Sequence, residues 1–82
     1  MNEYIATFHT HADAIVSHRT LSGAGISARM MPVPRKLSSS CGTCIRYSAD
    51  TPATELLSAE FEAVYQVIGG NGYDKVAQGD EE

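Results

Sequence analysis

The chain has 82 residues, 43% of them hydrophobic, and a formal net charge of −4 from 6 Lys and Arg against 10 Asp and Glu. That length makes one small domain with nothing left for a second core. The acidic balance argues against general nucleic-acid binding, two cysteines are too few for the disulfide framework of a small secreted scaffold, and no stretch approaches a membrane span.

The opening MNEYIATFHTHADA has no basic segment followed by an apolar run, so no signal peptide is read there. The expectation is a cytoplasmic protein, without membrane or nucleic-acid partners, whose thiols are free. EYIATF, residues 3–8, sets Tyr4, Ala6 and Phe8 on one face and Ile5 and Thr7 on the other, which predicts a strand. THADAIVSHRTLSGAG follows as a helix. Thr10 and Asp13 form a partial capping box, Ala12, Ile15, Val16 and Leu21 supply the apolar face, and Gly23 or Gly25 ends it. His18 reads as helix surface.

ISARMM, residues 26–31, alternates again and is stopped by Pro32 and Pro34. CIRYSA, residues 44–49, is a third strand. Thr51 then reads as an N-cap with Pro52 at the first helical position and Glu55 in the first turn. Leu57, Phe61, Val64 and Ile68 recur at helical spacing up to Gly69-Gly70, predicting a second helix. Its acidic residues Glu55, Glu60 and Glu62 would form a candidate docking face. A short strand at Tyr73–Gln78 closes the string.

The order β-α-β-β-α-β predicts an α+β, ferredoxin-like sandwich, an antiparallel four-stranded sheet with both helices on one face. The domain is read as residues 1–78, with 79–82 as an acidic disordered tail. In that topology three loops share one end of the sheet: His9-Thr10-His11, the segment PVPRKLSSSCGTC, and Gly69-Gly70-Asn71-Gly72. An edge strand of so small a sheet can pair with its twin, so a homodimer is compatible with the pattern.

Between Arg29 and Arg46 there are four basic residues (Arg29, Arg35, Lys36, Arg46) and no Asp or Glu, and both cysteines lie in this run. Nearby cations lower a thiol pKa, and the thiolate is the reactive form. Ser38, Ser39 and Ser40 offer hydroxyls and amides to an anion, and Gly42 lets the backbone turn beside Cys41. The residues therefore describe an accessible, activated sulfur at Cys41, with Cys44 packed at a strand start and His9 available to manage protons. Two alternatives stay open. Cys41 and Cys44 form a CxxC that could cycle as a disulfide, and with His9 and His11 they supply four ligand types that zinc accepts. A mobile basic loop with incidental cysteines, in a non-catalytic interaction domain, is the bland reading of the same residues.

FHTHADA, MPVPRKLSSSCGTCIRY and the closing GY resemble the selenium/sulfur carrier-like family, a domain of unknown function, over roughly residues 3–76. Its members are small bacterial domains related to a segment found beside TusA-type sulfur-carrier domains. The resemblance implies that Cys41 holds a persulfide or selenopersulfide and that Arg35, Ser38, Ser39 and Ser40 are the loop preceding it. His9 falls in the family's strand-to-helix element. Cys44 sits where members often have another residue, which speaks against an obligatory Cys41–Cys44 disulfide. The implied role is a carrier rather than a stand-alone enzyme, served by donor and acceptor proteins, with no cofactor beyond the covalent sulfur or selenium on Cys41.

Overall fold

The computed structural model describes every residue except Ser38, Ser40, Asn71 and the last three, Asp80, Glu81 and Glu82. The expectations for Ser38, Ser40 and most of the acidic tail therefore lie outside the described residues. In chain order the elements are β1 (Asn2–Phe8), α1 (His11–Gly23), β2 (Ala28–Pro32), β3 (Thr43–Ala49), a single 3-10 turn at Thr54–Leu56, β4 (Phe61–Ile68) and β5 (Gly72–Gln78). The strands form one antiparallel sheet in the order β2-β3-β1-β4-β5. The class is α+β, but among the described residues there are five strands and one helix, not the four strands and two helices of the expected ferredoxin-like sandwich.

The difference arises in residues 51–78. The expected second helix is a crossover, residues 50–60, followed by β4. Of the eight residues in FEAVYQVI, five are aromatic or β-branched (Phe61, Val64, Tyr65, Val67, Ile68), and such side chains fit a pleated surface better than a helix. Tertiary pairing decides it, because Tyr4, Ile5 and Ala6 of β1 take Gln66, Tyr65 and Val64 as cross-strand partners. Gly69, at φ 60°, then reverses the chain into β5, where Ile68 pairs with Gly72. Gly69-Gly70 is therefore a hairpin turn, not a helix stop. Thr51 does accept a backbone N–H, but from Ala53 at 3.2 Å, within a turn rather than at a helix start. Glu55, Glu60 and Glu62 fall on the 3-10 turn, a loop and β4, so the expected acidic helix face does not exist.

The core lies between α1 with the crossover and one face of the sheet. Tyr4, Ala6 and Phe8 of β1 meet Ile45 and Tyr47 of β3, Val64 of β4, Ala14 and Leu21 of α1, and Ala53 and Leu57 of the crossover. The Tyr4 and Tyr47 rings stack at 5.6 Å, and the Tyr47 hydroxyl donates to the Pro52 carbonyl, which fixes the crossover's start. The Ser58 amide donates to Ser17 Oγ at 2.7 Å and its hydroxyl to Asp13 Oδ1 at 2.9 Å, fixing the crossover's end onto α1.

Helix α1 begins as the capping box predicts, with the Asp13 amide donating to Thr10 Oγ1 at 3.2 Å. Of its expected apolar face, Leu21 is buried and Ala12, Ile15 and Val16 are not. Ala14, Ser17 and Leu21 are buried, whereas Ile15 and Val16 are exposed. The stripe at 14, 17, 18 and 21 lies two residues, or about 200°, away from Ala12, Ile15 and Val16. Small side chains at 14 and 17 let the helix axis approach the sheet. His18, expected on the surface, is half-buried, and its Nε2 lies 3.1 Å from the Ala28 carbonyl of β2. Among the described residues no helix is long and apolar enough to cross a membrane.

The helix phase yields a direct comparison. Leu21→Ala is expected to cost about 2–5 kcal/mol in urea unfolding, as a large core side chain does. Ile15→Ala, on the exposed stripe, is expected to stay within about 0.5 kcal/mol of the parent. Equal losses would reverse the orientation of α1.

Candidate functional site

β1 and β2 run in the same direction on either side of β3, so their exits lie at one end of the sheet. Thr7 opposite Cys44, and Pro32 opposite Thr43, fix the register there. The His9-Thr10-His11 segment and the cysteine segment do meet at that end. The Gly69-Gly70 turn does not. Because β4 runs antiparallel to β1, the β4–β5 turn lies at the opposite end, and the expected three-loop cluster reduces to two.

The cysteine segment is the loop of the β2–β3 hairpin, closed where the Val33 amide donates to the Gly42 carbonyl at 3.2 Å. Within it the Leu37 amide donates to the Pro34 carbonyl at 3.0 Å, making a turn with Arg35 and Lys36 at its two corners. Both are exposed, so their charge stands at the outer tip of the loop. The chain then returns to the sheet. Ser39 Oγ donates to the Phe8 carbonyl at 2.8 Å, pinning the loop to the last residue of β1, directly before His9.

Cys41 follows at the foot of the loop, half-buried at the margin of the helix-side core. Its Sγ lies 3.4 Å from the Thr43 carbonyl, to which the thiol can donate, and 4.0 Å from Ser39 Oγ. Gly42 takes φ 74°, a conformation that L side chains rarely adopt, so the turn beside the sulfur depends on glycine. Ser39 thus contacts both the scaffold and the thiol.

Cys44 has a different environment. It is fully buried, and its thiol donates to the Pro32 carbonyl at 3.6 Å. Burial pushes its pKa up to about 11; a charge on Cys41 adds to the rise, and Arg46 opposes it. Alternation along β3 sets Cys44 and Arg46 on the helix-free face, away from the core margin where Cys41 packs. Both cysteines are free. The expectation that Cys44 packs at a strand start holds.

The remaining candidates separate. His9 is exposed, with Nδ1 3.9 Å from Glu62 Oε2 at the start of β4. His11 is exposed in the first turn of α1. Among the described residues no group of three or more His, Cys, Asp or Glu is placed to hold a metal, so His9, His11, Cys41 and Cys44 do not form the four-ligand cluster their spacing allowed. Arg46, counted from sequence among the cations near the thiols, gives its Nε to Glu3 on the helix-free face. Glu62 was missed as a neighbour of His9 because its segment was read as a helix; the β-branched run before a Gly-Gly turn was the available signal.

The chain matches the family described as "Putative Se/S carrier protein-like" over residues 3–68, and it belongs to that family. The match spans β1 to β4, including the whole cysteine loop, and stops short of β5. The chain is also 36% identical over 45 residues to the uncharacterized protein YtiA of Escherichia coli (strain K12). That similarity covers 55% of this chain and 53% of YtiA, so the chain spans about half the length of the curated relative it matches. No solved structure matches.

The contrast between the two thiols is measurable. Iodoacetamide at neutral pH is expected to label Cys41 and to spare Cys44 in the folded protein, with both labelled in urea, as read from fragment ions of the peptide 37–46. Folding raises the Cys44 pKa from 9.0 to about 11, so the folded state holds that proton more tightly. The resulting stability is intact below about pH 9 and is lost as pH climbs through about 11. Burial, with smaller contributions from Tyr4 and Glu55, also raises the Tyr47 pKa, so part of the alkaline decline is expected to persist in Cys44→Ala while its slope becomes shallower.

Proposed function

We propose that this protein is a sulfur or selenium carrier that holds the atom as a persulfide or selenopersulfide on Cys41. The observation that carries the reading is the division of labour between the thiols. Cys41 is partly open at the foot of a pinned loop, while Cys44 is buried and hydrogen-bonded as a neutral thiol. Membership of the Se/S carrier-like family supports the same class of role.

Loading is a transfer between sulfurs. The Cys41 thiolate attacks the outer sulfur of a persulfide on a donor protein. A new S–S bond forms at Cys41, the donor's S–S bond breaks, and the donor leaves as a thiolate that takes up a proton. Discharge is the same step with an acceptor thiolate attacking the outer sulfur and Cys41 leaving. No net oxidant or reductant is consumed in either direction. Both steps require a sulfur within reach of another protein, which suits an open rim better than a deep pocket.

The flanking groups divide the remaining work. Ser39, held by the Phe8 carbonyl, ties the loop to β1 with its oxygen 4.0 Å from the Cys41 sulfur. The terminal sulfur of a persulfide is anionic at neutral pH, and Arg35 and Lys36 at the loop tip supply positive charge toward an approaching partner. Gly42 supplies the left-handed backbone conformation that the turn beside the sulfur takes. His9, at the exit of β1 and near Glu62, is the proton-handling group of this rim. A Cys41–Cys44 redox cycle is not favoured, since it would need Cys44 to leave its buried, protonated state. The reading places the protein in a reducing cytoplasm, among donor and acceptor proteins.

Incubation with a cysteine desulfurase and cysteine tests this by intact-mass and fragment-ion measurement. A sulfur-sized, reductant-sensitive mass increase is expected on Cys41 in the parent and in Cys44→Ala, and none in Cys41→Ser. Absence of the adduct on the parent, while a known carrier loads in parallel, would refute the proposal.

A further inference from the structure

One cleft of the molecule lies away from Cys41. It is an open depression of about 400 Å³ over the far part of β2 and β3, lined among others by Glu3, Ser27, Arg29, Arg46 and Ser48. Strand rise sets Arg46 and Ser48 about 10 and 17 Å from Thr43 at the cysteine end, and both are on the face of the sheet opposite the core margin where Cys41 packs. The cleft is therefore distinct from the proposed carrier site.

Its chemistry follows from strand register. Arg29 and Arg46 are direct cross-strand partners in the β2–β3 ladder. Like charges directly opposite each other destabilise a sheet, and their Cβ atoms lie only about 5 Å apart. Ser48 donates its amide to the Ser27 carbonyl at 3.3 Å, continuing the ladder, so Ser27 and Ser48 are on the same face as the two arginines. Glu3, opposite Ser48 on β1, is the one carboxylate in the group. It takes Arg46 Nε on one oxygen and the Ser48 hydroxyl on the other, at 3.2 Å. The hydrogen bond from Arg46 is the main cause of its lowered pKa, and Arg29 acts on it only through charge. Two guanidinium groups thus face one carboxylate, leaving one positive charge in excess.

We propose that this cleft binds a small molecule through an oxyanion group, a carboxylate or a phosphate, held between Arg29 and Arg46. A guanidinium presents a planar fork of donors that matches such groups two oxygens at a time. Arg29 provides that fork, Arg46 shares its remaining donors, and the Ser27 hydroxyl supplies a further one. The depression is larger than a bare ion and falls within the range of small-molecule sites, about 300–1,000 Å³. The bound anion would relieve the repulsion between the paired arginines, and Glu3 partly occupies its place when the cleft is empty.

Inorganic phosphate and succinate, titrated at constant ionic strength against chloride, serve as probes, with backbone amide NMR shifts as the readout. Saturable shifts are expected at residues 27–29 and 46–48, and the probe that binds more tightly identifies the oxyanion. Arg29→Gln, an exposed position, is expected to weaken binding by about tenfold or more with the rest of the spectrum unchanged. Glu3→Gln is expected to tighten it several-fold by releasing Arg46. The proposal is overturned if neither probe saturates, if the shifts fall only at Arg35 and Lys36, or if Arg29→Gln binds like the parent.

Discussion

The structure depends on β1 being paired along both edges and buried on both faces. Five consecutive residues, Tyr4 to Phe8, are buried, and β3 and β4 occupy the two sides of the strand. A strand in that position has no freedom of register, because a slip by one residue would exchange Tyr4, Ala6 and Phe8 for Ile5 and Thr7 against α1. Its end is therefore a fixed point. The Phe8 carbonyl at that end anchors Ser39, and Ser39 in turn sets where the loop carrying Cys41 comes to rest. The placement of a surface thiol thus depends on packing at the centre of the sheet.

The same dependence explains the opposite fates of two cysteines three residues apart. Cys44 belongs to the ladder, flanked by Thr7 on β1 and Met31 on β2, so it inherits the burial of the sheet and stays protonated. Cys41 lies before the Gly42 turn and outside the ladder, where hydroxyl and carbonyl oxygens are its polar neighbours. The spacing alone gives a CxxC. Only the strand boundary between the two residues shows that they are not a pair.

Local alternation made β1, β2 and β3 legible, and Thr10 with Asp13 marked the start of α1. These signals belong to the residues themselves and survive tertiary packing. The region after Thr51 was not legible in the same way. Leu57, Phe61, Val64 and Ile68 satisfy a helical period by coincidence: Leu57 is buried in the crossover, Val64 faces the core from β4, and Ile68 is half exposed. Periodicity could not separate these cases, whereas β-branched content and the Gly-Gly turn could have. The face of α1 was misjudged for a related reason. Bulk at Ile15 and Val16 outweighed phase, although Ala14 and Ser17 are the residues small enough for the helix to sit against the sheet. At the site, the meeting of the cysteine loop with His9 followed from strand direction and was legible. The Ser39–Phe8 contact was not, because nothing in a serine run says which hydroxyl turns back to the scaffold.

The acid-free run from Arg29 to Arg46 is where chain and fold connect most closely. It is a single β-hairpin, and its first and last residues are paired with each other. Folding therefore divides one basic segment into two groups, one on the loop of the hairpin and one on the helix-free face of its ladder. Arg35 and Lys36 go to the outer tip of the cysteine loop, while Arg29 and Arg46 go to the cleft, where Glu3 from β1 is the nearby carboxylate. Excluding acids from the hairpin keeps both groups from being neutralised within the segment, and the one carboxylate that reaches the cleft has to come from a neighbouring strand. An overall acidic chain can then present positive charge at two defined places. The absence of acids in that run bears on more than the cysteine loop, since Arg29 and Arg46 line the cleft with Glu3 on the helix-free face.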